Sequence, residues 1–161
     1  MGESRKTVGQ RQEGSCVDQV EFHVSSDPKM LKIIRTGISY MCELIGFTSQ
    51  QQYQTALAVD EACANIIKYA YDGRHDQQII VKARLLENGI EIVLRDFGKK
   101  AKPAKIKPRD LDDIRPGGLG VHFIRSIMDV VSYATSAIEG NKLTLTKFRV
   151  PKSSNDREKE S

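Results

Sequence analysis

In the stretch Asp60-Glu61-Ala62-Cys63-Ala64-Asn65 a carboxylate and a carboxamide stand four residues apart. On a helix that spacing stacks Glu61 and Asn65 on one face. An amide oxygen suits a hard cation that already carries phosphate oxygens and waters. A carboxylate beside it is free to orient or deprotonate an attacking hydroxyl. The same pair also fits a plain solvated helix face, so on its own it selects no chemistry. Further on, Arg95-Asp96-Phe97-Gly98 closes an apolar run. A carboxylate at a strand end can accept a hydrogen bond from the exocyclic amine of adenine, where guanine presents a carbonyl. Gly98 would let the backbone pass close to a flat base, although Asp-x-Gly alone equally describes an ordinary turn. Third comes Gly117-Gly118-Leu119-Gly120, ahead of an apolar-striped segment. Glycines at a helix start admit phosphates to the free N–H groups and the positive end of the dipole. A flexible turn is the plain alternative.

The elements that must position these residues follow from periodicity. Val20-Glu21-Phe22-His23-Val24 alternates as a half-buried strand does. Ser26-Asp27-Pro28 offers a cap with proline in the first turn, and Leu31, Ile34, Ile38, Met41 and Ile45 then form a helical stripe ended by Gly46. Ser49 and Gln52 have capping-box spacing for a second helix with the stripe Ala56, Val59, Cys63, Ile66 and Ala70, ending near Asp72-Gly73. Glu61 and Asn65 lie on a face offset from that stripe. Strands are predicted over 78–86 and 90–94, with Asn88-Gly89 as a hairpin signal between them. A third helix runs through Ile124, Ile127 and Met128. The last strands, 130–135 and 142–150, turn at Glu139-Gly140-Asn141. Consecutive hairpins argue against a Rossmann-type sheet. They predict an α+β, two-layer sandwich: a mixed, mostly antiparallel sheet covered by helices on one face.

Of the 161 residues, 39% are apolar and 29% charged, as in a soluble globular domain. No apolar run approaches the ~20 residues of a membrane span. Residues 1–15 carry no secretory signal, and Lys6 stands where a myristoylation motif needs Ser or Thr. The chain is therefore expected in the cytoplasm. Residues 1–15 and 152–161 read as disordered tails around one domain, 16–151. Cys16, Cys42 and Cys63 form no CxxC pair, which disfavours structural zinc and predicts reduced thiols. The net charge of +4 is local in origin. Lys99, Lys100, Lys102, Lys105, Lys107 and Arg109 share one segment with Pro103 and Pro108 and no acid. Such a basic loop suits a polyanion, either nucleic acid or a nucleotide phosphate chain. Only Phe97 adjoins it, so the interleaved aromatics of a nucleic-acid surface are missing.

Taken in order, a helix with Glu-x-x-x-Asn, a strand ending in Asp-x-Gly, a basic segment and a Gly-x-Gly helix start resemble the GHKL (Bergerat-fold) ATPases. The resemblance covers about residues 20–150. The stretches 57–65 and 118–129, with Ala70-Tyr71 after the asparagine, look like the bacterial anti-sigma-factor serine/threonine kinases. The resemblance implies Glu61 as general base and Asn65 as Mg²⁺ ligand. It implies Asp96 and Gly98 at the adenine of ATP, and Gly118, Leu119 and Gly120 at its phosphates. Residues 99–116 would form an ATP lid, from which Arg115 would reach the γ-phosphate or a partner. Two positions depart from the pattern: Lys100 where a second glycine is frequent, and Tyr69 where histidine is common. The implied function is an ATP-dependent protein serine kinase that binds a sigma factor or similar regulator. It would phosphorylate an anti-anti-sigma (STAS-type) antagonist, as a homodimer without direct nucleic-acid contact. The alternative is an ATP-binding regulatory module of the same fold without kinase activity. A detached histidine-kinase catalytic domain is disfavoured, because His23, His75 and His122 lie on no dimerising helical hairpin.

Overall fold

A computed structural model describes residues 18–100, 119–136 and 138–150. The expected tails 1–15 and 152–161, Cys16, most of the basic segment, Arg115 and Gly118 lie outside the described residues. Strand β1 (Gln19–Ser25) leads through a short 3₁₀ turn (Pro28–Met30) into helix α1 (Leu31–Leu44). Asp27 caps that turn, accepting from the Lys29 N–H at 2.9 Å, and Pro28 follows it. Helix α1 buries Ile34, Ile38, Met41 and Cys42. It ends in a Schellman motif: Gly46 takes φ +77, its N–H reaches the Glu43 carbonyl at 2.9 Å, and the Phe47 N–H reaches Cys42 at 3.0 Å.

Helix α2 (Ser49–Asn65) is capped one residue earlier than the Ser49/Gln52 pairing predicts. The hydroxyl of Thr48 accepts from the Gln51 N–H and the Gln51 side chain accepts from the Thr48 N–H, both at 3.2 Å. Both registers satisfy the pattern. Gln52 is diverted to the carbonyl of buried Phe47 at 2.9 Å, which leaves Gln51 to close the box. The helix continues into a π turn (Ile66–Ala70). The extra residue per turn moves Ile67 and Tyr71 into the core and leaves Ala70, expected on the buried stripe, at the rim.

Strands β2 (Gln78–Leu86), β3 (Gly89–Asp96), β4 (Val130–Ser136) and β5 (Gly140–Phe148) complete the sheet, with helix α3 (Leu119–Ile127) preceding β4. The order is β1-β2-β3-β5-β4, and every described pairing is antiparallel. Two turns differ from expectation. The β2–β3 loop is Glu87-Asn88, and neither Asn88 nor Gly89 takes positive φ. Gly89 belongs to the strand, where a β-carbon would overlap the Lys147 carbonyl. Likewise Gly140 and Asn141 are not the last turn but the start of β5, paired with Ser136 and Thr135. Gly140 takes φ +76, and a β-carbon there would overlap the Asp96 carbonyl.

One face of the sheet carries Ile79, Val81, Ala83, Ile90, Ile92, Leu94 and Leu145, all buried under the helices. Small buried residues on α2 (Ala56, Ala58, Ala62 and Cys63) accompany its close packing against α1 and α3. The architecture is a two-layer α+β sandwich. The other face is polar, with Lys82, Arg84, Glu91, Arg95 and Lys142 lining a broad concavity that contains no candidate residue. No helix among the described residues is long and apolar enough to cross a membrane. Cys42 and Cys63 are free and buried, and burial pushes both thiols up to about 12.

Candidate functional site

Glu61 and Asn65 both sit half-buried on α2, beside Ala62 and Cys63, which are buried in the core. Against Glu61 lies the start of α3. A β-carbon at Gly120 would overlap the Glu61 carboxylate, so the absence of a side chain is what lets α3 approach. Leu119 is the first described residue of that helix.

At the far end of α2 the π turn frees the Ala70 carbonyl for a partner from another element. The Lys99 N–H donates to it at 2.9 Å. Gly98 packs on the same carbonyl so closely that any β-carbon would collide with backbone. The Lys99 ammonium pairs with Asp72, whose φ of +52 places it in the left-handed turn after the helix. Tyr71 joins the layers: its hydroxyl donates to the Gln78 carbonyl and accepts from the Phe97 N–H at 2.8 Å.

Asp96, the last residue of β3, is only 3% exposed. Its Oδ1 accepts from the Gly98 N–H at 3.0 Å and from the Asn141 amide at 2.7 Å. Burial raises the carboxyl above the usual carboxylate range, while those two donors pull it back. The same Asn141 amide donates to the Lys99 carbonyl at 3.0 Å.

Two clusters are thus strung along one side of α2. Gly120 meets Glu61 near the middle of the helix, and Gly98, Lys99 and Asp96 gather at its end. From residue 61 to residue 70 the helix advances roughly 13 Å. Asn65 lies between. The donor set suits a nucleotide with its metal. Asp96 is a buried hydrogen-bond acceptor held in place, Gly98 and Gly120 let the chain pass tightly against Ala70 and Glu61, and Asn65 offers one neutral oxygen. Mg²⁺ needs only one or two protein ligands when phosphates and waters complete its shell. Sequence reasoning missed Asn141, Ala70 and Tyr71. For Asn141 the available signal was a Gly-Asn step opposite the Asp-x-Gly strand end once the strands are paired.

A model of the histidine kinase-like ATPase domain matches residues 24–147, which includes every candidate residue from Glu61 to Gly120. The chain belongs to that family. It is 29% identical over 142 residues to the serine-protein kinase RsbW of Bacillus pumilus, covering 82% of this chain and 86% of the relative. It is 31% identical over 140 residues to RsbW of Staphylococcus aureus (strain bovine RF122), covering 81% and 87%. RsbW of Bacillus subtilis (strain 168) is 25% identical over 139 residues, covering 81% and 86%. The family and fold are therefore those of GHKL ATPases, and the relatives are of the anti-sigma-factor kinase type. Binding of ATP and Mg²⁺ and kinase chemistry are what membership implies.

Proposed function

We propose that the protein is an ATP-dependent serine/threonine kinase that works as a partner switch in the cytoplasm. It binds a sigma factor or similar regulator and phosphorylates a serine on an anti-anti-sigma (STAS-type) antagonist, acting as a homodimer. The observation that carries this reading is the approach of Gly120 to the Glu61 carboxylate, which brings the glycine-rich helix start beside the one acid of the Glu-x-x-x-Asn pair. The RsbW relatives, named as serine-protein kinases, supply the direction.

Each residue then has a role. Asp96 accepts a hydrogen bond from the adenine amine, and Gly98 lets the base lie against the strand end. Gly118, Leu119 and Gly120 hold phosphates with main-chain N–H groups, and Arg115 reaches the γ-phosphate. Asn65 is the protein ligand of Mg²⁺, which when bound neutralises charge on the phosphate chain. Glu61 accepts the proton of the incoming serine hydroxyl as its oxygen bonds to the γ-phosphorus and ADP departs.

The test is incubation with Mg²⁺, γ-labelled ATP and a purified STAS-type antagonist. Label on a serine is expected, and Glu61→Ala should abolish it while leaving ATP affinity within a few-fold by calorimetry. Undiminished labelling by the variant would remove Glu61 from its role. ATP binding with no transfer to any candidate antagonist would instead select the non-catalytic regulatory module, the reading that Lys100 in place of a glycine favours.

A further inference from the structure

Asn141 is 2% exposed, and its side chain spends both amide protons on two different elements of the site. One goes to Asp96 Oδ1 at the end of β3, the other to the carbonyl of Lys99 just beyond it. Its own Oδ1 is buried with no partner among the described residues. An unpaired buried acceptor costs free energy that an apolar side chain of similar size would avoid. Against that cost stand the two acceptors it satisfies, one of them the buried carboxylate of a candidate site residue. The backbone has also been shaped to bring it in: Gly140, at φ +76, lies where any β-carbon would overlap the Asp96 carbonyl, and Asn141 pairs directly with Asp96 across the strands.

We propose that Asn141 is a positioning residue that fixes the Asp96 carboxylate as a pure hydrogen-bond acceptor and thereby sets the selectivity of the site for a 6-amino over a 6-oxo purine. This rests on the adenine-end reading of Asp96 given above. With Oδ1 engaged by Asn141 and by the Gly98 N–H, the other oxygen is left to the ligand. An ionised carboxylate there accepts from an amine and repels a carbonyl. A protonated one donates, and so admits the 6-oxo base as well. Asn141 opposes protonation, because its amide stabilises the charged form.

Among the described residues, the other groups around Asp96 offer no cation to replace it. Tyr71, from the end of α2, and Tyr133, from β4, are both raised by burial first and by the charge of Asp96 after it, Tyr133 to about 12. The Lys99 ammonium is paired with Asp72, and Lys142 faces the opposite side of the sheet. Loss of Asn141 therefore moves the carboxyl upward, with Gly98 the one donor left to restrain it among the described residues.

The experiment compares wild type with Asn141→Leu, and with Asn141→Ser should the leucine variant fail to fold. The full chain is used with Mg²⁺. Affinities for ATP and ITP by calorimetry between pH 6 and 8 should show the ATP preference falling about tenfold in the variant, most at pH 6. A merely structural role would weaken both nucleotides in proportion and leave the ratio flat. Independently of any ligand, ¹³C titration of the Asp96 carboxyl should move upward in the variant. If wild type binds neither nucleotide, the adenine-end reading fails, and the titration still judges whether Asn141 governs Asp96. An unchanged Asp96 titration, or an unchanged ratio in a protein that binds ATP, overturns the proposal.

Discussion

Asp96, a candidate site residue, is costly to the fold. Its carboxyl is raised chiefly by burial, so the folded protein holds that proton more tightly than the unfolded chain. The linked stability is fully present below the ordinary carboxylate value and is lost as pH rises through the higher folded value. At neutral pH the buried charge is thus a net burden. Asp96→Asn keeps an acceptor for Gly98 and Asn141 and removes the charge. Denaturant titrations should therefore find the variant no less stable than wild type at pH 7, with its relative advantage shrinking toward pH 4. Its ATP affinity should drop roughly ten- to hundred-fold, since the amine of the base loses a charged acceptor. A variant destabilised at pH 7 with ATP affinity intact would make Asp96 a structural residue only. Gly120 supports a second expectation at this scale. Gly120→Ala meets the far end of the Glu61 side chain, which can swing aside, so the protein should fold. The displaced carboxylate should lower phosphotransfer by roughly a hundredfold, read as kcat against an antagonist protein.

At the scale of elements, the π turn at the end of α2 decides where the segment after β3 meets the helix. By widening the last turn it exposes the Ala70 carbonyl to Lys99 and swings Tyr71 inward to bridge the start of β2 and Phe97, just after β3. Tyr71→Phe deletes that bridge and leaves the Phe97 N–H without its acceptor. It should cost about 2 kcal/mol, a Tm loss of about 4–8 °C by calorimetry. A Tm shift under one degree would show that the bridge carries no weight. This turn was also the least legible part of the sequence. Periods of three and four along Ala56, Val59, Cys63 and Ile66 announce the helix, but nothing in Ile66-Ile67-Lys68-Tyr69-Ala70 signals the added residue. It arises from tertiary demands, namely burial of Tyr71 and capture of the Lys99 N–H. Turn positions failed for a related reason. Asn88-Gly89 and Gly140-Asn141 read as turn dipeptides, yet both glycines are used for close passage past a neighbouring backbone carbonyl. A single chain cannot reveal such a contact before its strands are paired.

Across the whole molecule, the sandwich was readable because its hairpins are consecutive and its helices share one apolar direction. The ordering Glu-x-x-x-Asn, Asp-x-Gly, Gly-x-Gly then picked out the family to which residues 24–147 belong. What links fold to function is that the candidate residues come from both layers: α2 and α3 from the helical side, the end of β3 from the sheet. A nucleotide held by all three would bind only the folded state and so oppose unfolding of the entire sandwich. At a hundred times its Kd, Mg²⁺-ATP should add about 2.7 kcal/mol. For a chain of 161 residues that is a rise in Tm of about 5–10 °C. A single transition should shift as a unit, since a ligand spanning both layers leaves neither free to melt first. Asp96→Asn sharpens the test: its own melting should be no lower than that of wild type at pH 7, while the ATP-dependent rise collapses. Two transitions of which ATP moves only one, or an equal rise in the variant, would mean that the nucleotide is not gripped jointly by strand end and helices.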